Sequence, residues 1–148
     1  MSVGSLTNTD SHGPFTKYLD VYGIKLLVLP EVTIEFPGKV AQIFESILTS
    51  STNTNSGLRA SLFNEIQTNQ VGQRVGYSGP NYYESIGSPE KWHQYSGPIN
   101  LVDFIWETEG SSSEVIAEIL EHQLHTLHNL VFSSLYPAQW NYADPKSK

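Results

Sequence analysis

Apolar residues along the chain fall into five runs, and their spacing differs from run to run. Tyr22–Leu29 (YGIKLLVL) is nearly continuous and is closed by Pro30. Its short length, branched residues and bounding Gly and Pro predict a buried strand. Pro37 suits a first helical position, and beyond it Val40, Ile43, Phe44, Ile47 and Leu48 recur at intervals of three and four. That stripe predicts a helix with one face in the core. Ser50–Gly57 (SSTNTNSG) reads as a loop, and Leu58, Leu62, Phe63 and Ile66 predict a second, shorter helix. Ile99–Trp106 (INLVDFIW) reads as another strand, ended by Glu107-Thr108-Glu109-Gly110.

The last run is the longest. Ser111 and Glu114 have the spacing of a capping box, and Pro137 marks a stop. Between them Val115, Ile116, Ile119, Leu120, Leu124, Leu127, Leu130 and Val131 predict one broad apolar face on a helix over Ser111–Leu135. Gly72–Gly97 is dense in Gly, Pro, Tyr and Ser and reads as turn chemistry. A loop of that length covers a site or packs through its own rings, here Tyr77, Tyr82, Tyr83, Trp92 and Tyr95. Residues 1–14 are small and polar and read as a flexible lead-in, with residues 15–148 as one domain. The order strand, helix, helix, strand, helix predicts an α+β class: a small sheet packed against two or three helices, the long C-terminal helix central.

Composition narrows the function. The 148 residues carry only eight Lys and Arg against fifteen Asp and Glu, a net charge of −7. The cations are scattered, so no basic stripe exists to neutralise phosphates, and neither nucleic acid nor anionic lipid is an expected partner. Cysteine is absent, which excludes disulfides, a thiolate nucleophile and Cys-type zinc sites. The first residues show neither a basic region nor an apolar run, and no stretch is long enough to span a bilayer. The cytoplasm is the default compartment on this reading. No Gly-x-Ser-x-Gly elbow occurs, and Gly72–Gly79 (GQRVGYSG) lacks the Lys-Ser/Thr ending of a phosphate loop.

The polar side of the last helix is where chemistry concentrates. His122, His125 and His128 lie there with Glu118 and Glu121. Residues three and four apart are helix neighbours, so Glu118 meets His122, Glu121 meets His125, and the two histidines adjoin. Zinc takes imidazole nitrogen and carboxylate oxygen, and one helix can supply ligands from successive turns. Glu118, His122 and His125 are the candidate metal ligands, and Glu121 is the candidate general base or orienting carboxylate. Glu107, Glu109, Asp103 and His93 are the available ligands from elsewhere. The spacing differs from His-Glu-x-x-His. It is closer to the inverted His-x-x-Glu-His, with Glu118 in the first histidine position.

The segment Glu121-His122-Gln-Leu-His125-Thr126, with Tyr136-Pro137 opening an aromatic tail, resembles a group of zincin-like bacterial and marine proteins with a Glu-His-x-Leu-His-Thr helix. Tyr22–Val32 and Val40–Leu48 are similar to their first strand and helix. The resemblance implies a zinc-binding domain and a degenerate metal-dependent hydrolase, in a group without an established activity. Two departures stand out. The turn after the first helix, Thr49–Gly57, has no carboxylate, so no calcium is expected where the group has an acidic loop. The chain also stops at Lys148, where the group continues, as expected of a short relative or a truncated frame.

The alternative is a non-enzymatic structural or protein-interaction domain. In it the Glu–His pairs are ordinary helix-surface partners, solvated or buried in a homodimer seam, and Tyr136, Trp140 and Tyr142 provide an aromatic surface for self-association. Burial discriminates between the two readings. A metal site needs a roof and a third ligand, whereas a surface helix points its histidines to water.

Overall fold

The computed structural model describes residues 2–49, 55–79, 98–108 and 111–140. The loop aromatics Tyr82, Tyr83, Trp92 and Tyr95 fall outside that set, as do His93, Glu109 and Tyr142. The strands are β1 (Thr7–Asn8), β2 (Lys17–Val21), β3 (Ile24–Val28), β4 (Val71–Gly76) and β5 (Asn100–Trp106). The helices are α1 (Phe36–Thr49), α2 (Ser56–Thr68) and α3 (Ser112–Leu127). A π turn over His128–Phe132 continues α3, followed by the short α4 (Ser133–Leu135) and α5 (Pro137–Trp140). The class is α+β, as the sequence predicts.

The sheet runs β1-β2-β3-β4-β5, antiparallel through the first three strands and parallel from β3 to β5. Val21 pairs with Ile24, which leaves Tyr22-Gly23 as a two-residue turn with φ of 49° and 89°. Two positive φ values define the turn whose twist matches the flanking strands. Tyr22 therefore leaves the predicted strand. Its hydroxyl donates to Glu45 at 3.2 Å, and its ring stacks on Phe63 of α2 at 5.7 Å.

Two sequence readings are corrected here. Part of the predicted lead-in is paired with the sheet: Gly4 N–H donates to the Asp20 carbonyl at 2.6 Å, Val3 bridges to Val21, and Thr7 is paired with Tyr18. Val71–Gly76 is the central parallel strand, buried throughout, where the sequence suggests the start of a long turn. The glycines conceal it. A Cβ on Gly72 would lie 2.4 Å from Ile99, and one on Gly76 would lie 2.2 Å from the Trp106 ring. The bulk that marks a strand in sequence is supplied here by side chains from its neighbour.

The described helices contain no segment long and apolar enough to cross a membrane. The core includes Leu26, Leu27 and Val28 of the sheet, Val40 and Phe44 of α1, Ile66 of α2, and Ile119 of α3, all essentially inaccessible.

Candidate functional site on the last helix

Helix α3 starts where the sequence places it. Ser111 Oγ accepts from the Glu114 N–H, and the Glu114 carboxylate accepts in return from the Ser111 N–H. The Ser111 hydroxyl and the Ser111 N–H beside it hold the Glu114 carboxyl below its ordinary range, because donors to the carboxylate favour the charged form.

The rotation of the helix is not the predicted one. Val115 and Ile119 face the core, but the next two buried positions are polar: Gln123 and Thr126. Thr126 Oγ1 donates to Gln73 Oε1 of β4 at 2.8 Å, and Gln73 Nε2 donates to the Arg74 carbonyl at 3.1 Å. Gln123 Nε2 donates to the Phe44 carbonyl of α1 at 3.3 Å. The Thr126–Gln73 bond ties this side of α3 to the sheet. The predicted broad apolar face is consequently split. Ile116, Leu120 and Leu124 lie outside, 41%, 38% and 55% exposed. Within the π turn, Val131 is again fully buried.

The Glu/His patch lies along one edge of this helix. His122 Nε2 is 3.1 Å from Glu118 Oε2, with a side chain only 12% exposed. His125 Nε2 is 3.8 Å from Glu121 Oε1, and both side chains are about half exposed. The two imidazoles meet edge to face, with centroids 5.9 Å apart. His128 points away from the patch: its Nε2 is 3.2 Å from the Trp140 carbonyl, and its ring packs on the Trp140 indole.

The sequence pairs are thus formed, but they stay two pairs. Glu118 and His122 could share one ion, while the His125 Nε2 faces Glu121. A catalytic zinc needs three protein ligands, and among the described residues no group of three His, Asp or Glu is placed to hold a metal ion. Glu107, a proposed outside ligand, accepts instead from the Thr33 N–H at 2.9 Å and from the Thr33 hydroxyl. It ties the end of β5 to the segment before α1. The Asp103 side chain, Glu109 and His93 lie outside the described residues. The described side chains fit two ligands and stop short of a closed zinc site, so no hydrolytic step follows from them.

Two buried polar residues of β4 escape the sequence reading. Gln73 anchors α3, and Arg74 holds its guanidinium 4.5 Å from the Phe104 ring centroid on the opposite face of the sheet. Their signal was Val71 and Val75 bracketing the polar pair at strand spacing.

Comparison with protein-family models, with curated proteins and with solved structures finds no match for this chain.

Proposed function

We propose that the chain is a non-catalytic interaction domain that associates with a second copy of itself through the outer face of α3. The observation that carries this reading is the exposed ridge of Ile116, Leu120 and Leu124. A surface helix ordinarily turns such residues inward. Here Gln123 and Thr126 occupy the inward positions and large aliphatic side chains stand in water, a pattern that marks a contact surface. The spacing i, i+4, i+8 is that of a helix laid against another apolar surface.

A two-fold interface must be self-complementary. In an antiparallel pair centred between Leu120 and Leu124, Leu120 of each copy meets Leu124 of the other. Ala117 beside the ridge permits close approach. Glu121 then comes within reach of His125 of the second copy, so the patch contributes register more than chemistry. Sedimentation velocity of the untagged chain at micromolar concentration tests this. A dimer that becomes a monomer in Leu120→Glu/Leu124→Glu, with circular dichroism unchanged, supports it. A monomeric parent overturns it.

A second reading is the zincin-like zinc domain, favoured by the 3.1 Å approach of His122 to Glu118. Glu118, His122 and His125 would hold the ion and Glu121 would serve as base, with a closing ligand from outside the described residues. Metal analysis separates the readings. About one zinc per chain, lost in His122→Ala/His125→Ala, supports the metal site; a parent that stays metal-free after zinc addition overturns it.

A further inference from the structure

One polar flank of α3 borders its aliphatic ridge. Glu121 follows Leu120 and His125 follows Leu124, so this pair stands beside the two exposed leucines. Both side chains of the pair are about half exposed, and His125 Nε2 lies 3.8 Å from Glu121 Oε1. That separation is too long for a hydrogen bond. It is close to the spacing of two ligands on one ion. With bonds of about 2.0–2.2 Å, neighbouring ligand atoms of a tetrahedral zinc lie about 3.4 Å apart. The adjacent pair differs: His122 and Glu118 are hydrogen-bonded at 3.1 Å, and the His122 side chain is largely buried.

One copy of the chain offers two ligands here, and two-fold symmetry doubles them. An antiparallel two-fold pair brings the same flank of both helices to one side of the axis. With Leu120 of each copy on Leu124 of the other, the axis passes at the level of His122. The midpoint of Glu121 and His125 is Gln123, one position further along. Helical side chains lean towards the helix N-terminus, so a surface spot is covered by the residue about one position C-terminal to it. The four side chains therefore converge on the axis. Their charges suit this pairing, because each carboxylate approaches the imidazole of the other copy.

We propose that the dimer binds one zinc ion on its two-fold axis, held by Glu121 and His125 of both copies. The inference rests on self-association through α3 and adds to it a metal that neither copy holds alone. Two imidazoles and two carboxylates close the tetrahedral coordination of a structural zinc, and the two carboxylates balance its charge. No position stays open for a reacting water, so the ion fastens the dimer. Because the complete site exists only in the dimer, zinc draws the equilibrium towards it by mass action.

Sedimentation equilibrium of the untagged chain, in chelator and with zinc, tests the proposal. With free zinc at about a hundred times its dissociation constant, the dimer should tighten about a hundredfold. Elemental analysis of the isolated dimer should find one zinc per two chains. His125→Ala should abolish the tightening. Leu120→Glu/Leu124→Glu, which separates the copies, should abolish zinc uptake, with the far-ultraviolet spectrum of both variants unchanged. A dimer in chelator that zinc neither tightens nor enters overturns the metal site and leaves self-association standing. One zinc per chain, or uptake that survives Leu120→Glu/Leu124→Glu, overturns it in favour of a site within one copy. A chain monomeric in chelator and dimeric with one zinc per two chains upholds the metal site and overturns association through the ridge alone. A chain monomeric throughout overturns both.

Discussion

Replacing Gln123 by Met should make the protein more stable, against the usual direction for a core substitution. Gln123 is fully buried on α3 and makes one long hydrogen bond, from Nε2 to the Phe44 carbonyl at 3.3 Å. Its Oε1 is buried and has no hydrogen-bond partner. Such an acceptor costs about 1–3 kcal/mol, whereas an ordinary internal hydrogen bond contributes about 0.5–1.5 kcal/mol. The Phe44 carbonyl lies within α1, where the helical ladder provides its own donor. Methionine has nearly the same length and flexibility and no amide to desolvate. The balance favours the variant by about 1 kcal/mol, which for a chain of this size raises Tm by about 2–4 °C. Thermal unfolding followed by far-ultraviolet circular dichroism, with urea unfolding as the isothermal check, reads the effect. A variant less stable than the parent by 1 kcal/mol or more would show the glutamine to be a net anchor and refute the reasoning.

Other consequences follow from the same packing. Gly76→Ala places a Cβ 2.2 Å from the Trp106 ring, which is itself stacked on Phe104 with centroids 4.4 Å apart; a loss of about 1–3 kcal/mol is expected from overpacking, and an unchanged urea midpoint would contradict it. Ser111→Ala removes the cap of α3 and should cost about 1 kcal/mol, read as a lower midpoint with unchanged slope. Glu114 has a folded pKa below its ordinary 4.5, so the unfolded chain binds its proton first. Its stabilisation is complete above pH 4.5 and fades as pH falls through the lower folded value. Glu114→Gln should therefore flatten the acid limb of the stability profile; an acid limb as steep as the parent's argues against the capping bond.

How much of this was legible in the sequence depended on where the relevant partner lies. The three long helices announce themselves locally: the α1 stripe from Val40 to Leu48 is nearly all buried or half-buried, and the Ser111–Glu114 box forms as spaced. Strands β3 and β5 are legible from their apolar runs. Strand β4 is not, because Gly72 and Gly76 leave room that Ile99, Leu101 and Trp106 fill from the next strand. The Glu118–His122 and Glu121–His125 pairs are legible because helical neighbours are a property of spacing alone. Which side of α3 faces inward is not, since the partner of the buried Thr126 is Gln73, on a strand far away in sequence.

The most direct test of self-association through α3 uses the absence of cysteine from the chain. Glu121→Cys puts a single thiol beside the proposed two-fold axis, and Ala60→Cys puts one on the exposed side of α2. Under mild oxidation at micromolar concentration, the variant at position 121 should form a covalent dimer rapidly and the variant at position 60 should stay monomeric. Equal, slow cross-linking at both positions, or none at position 121, would contradict the assignment of α3 as the interface.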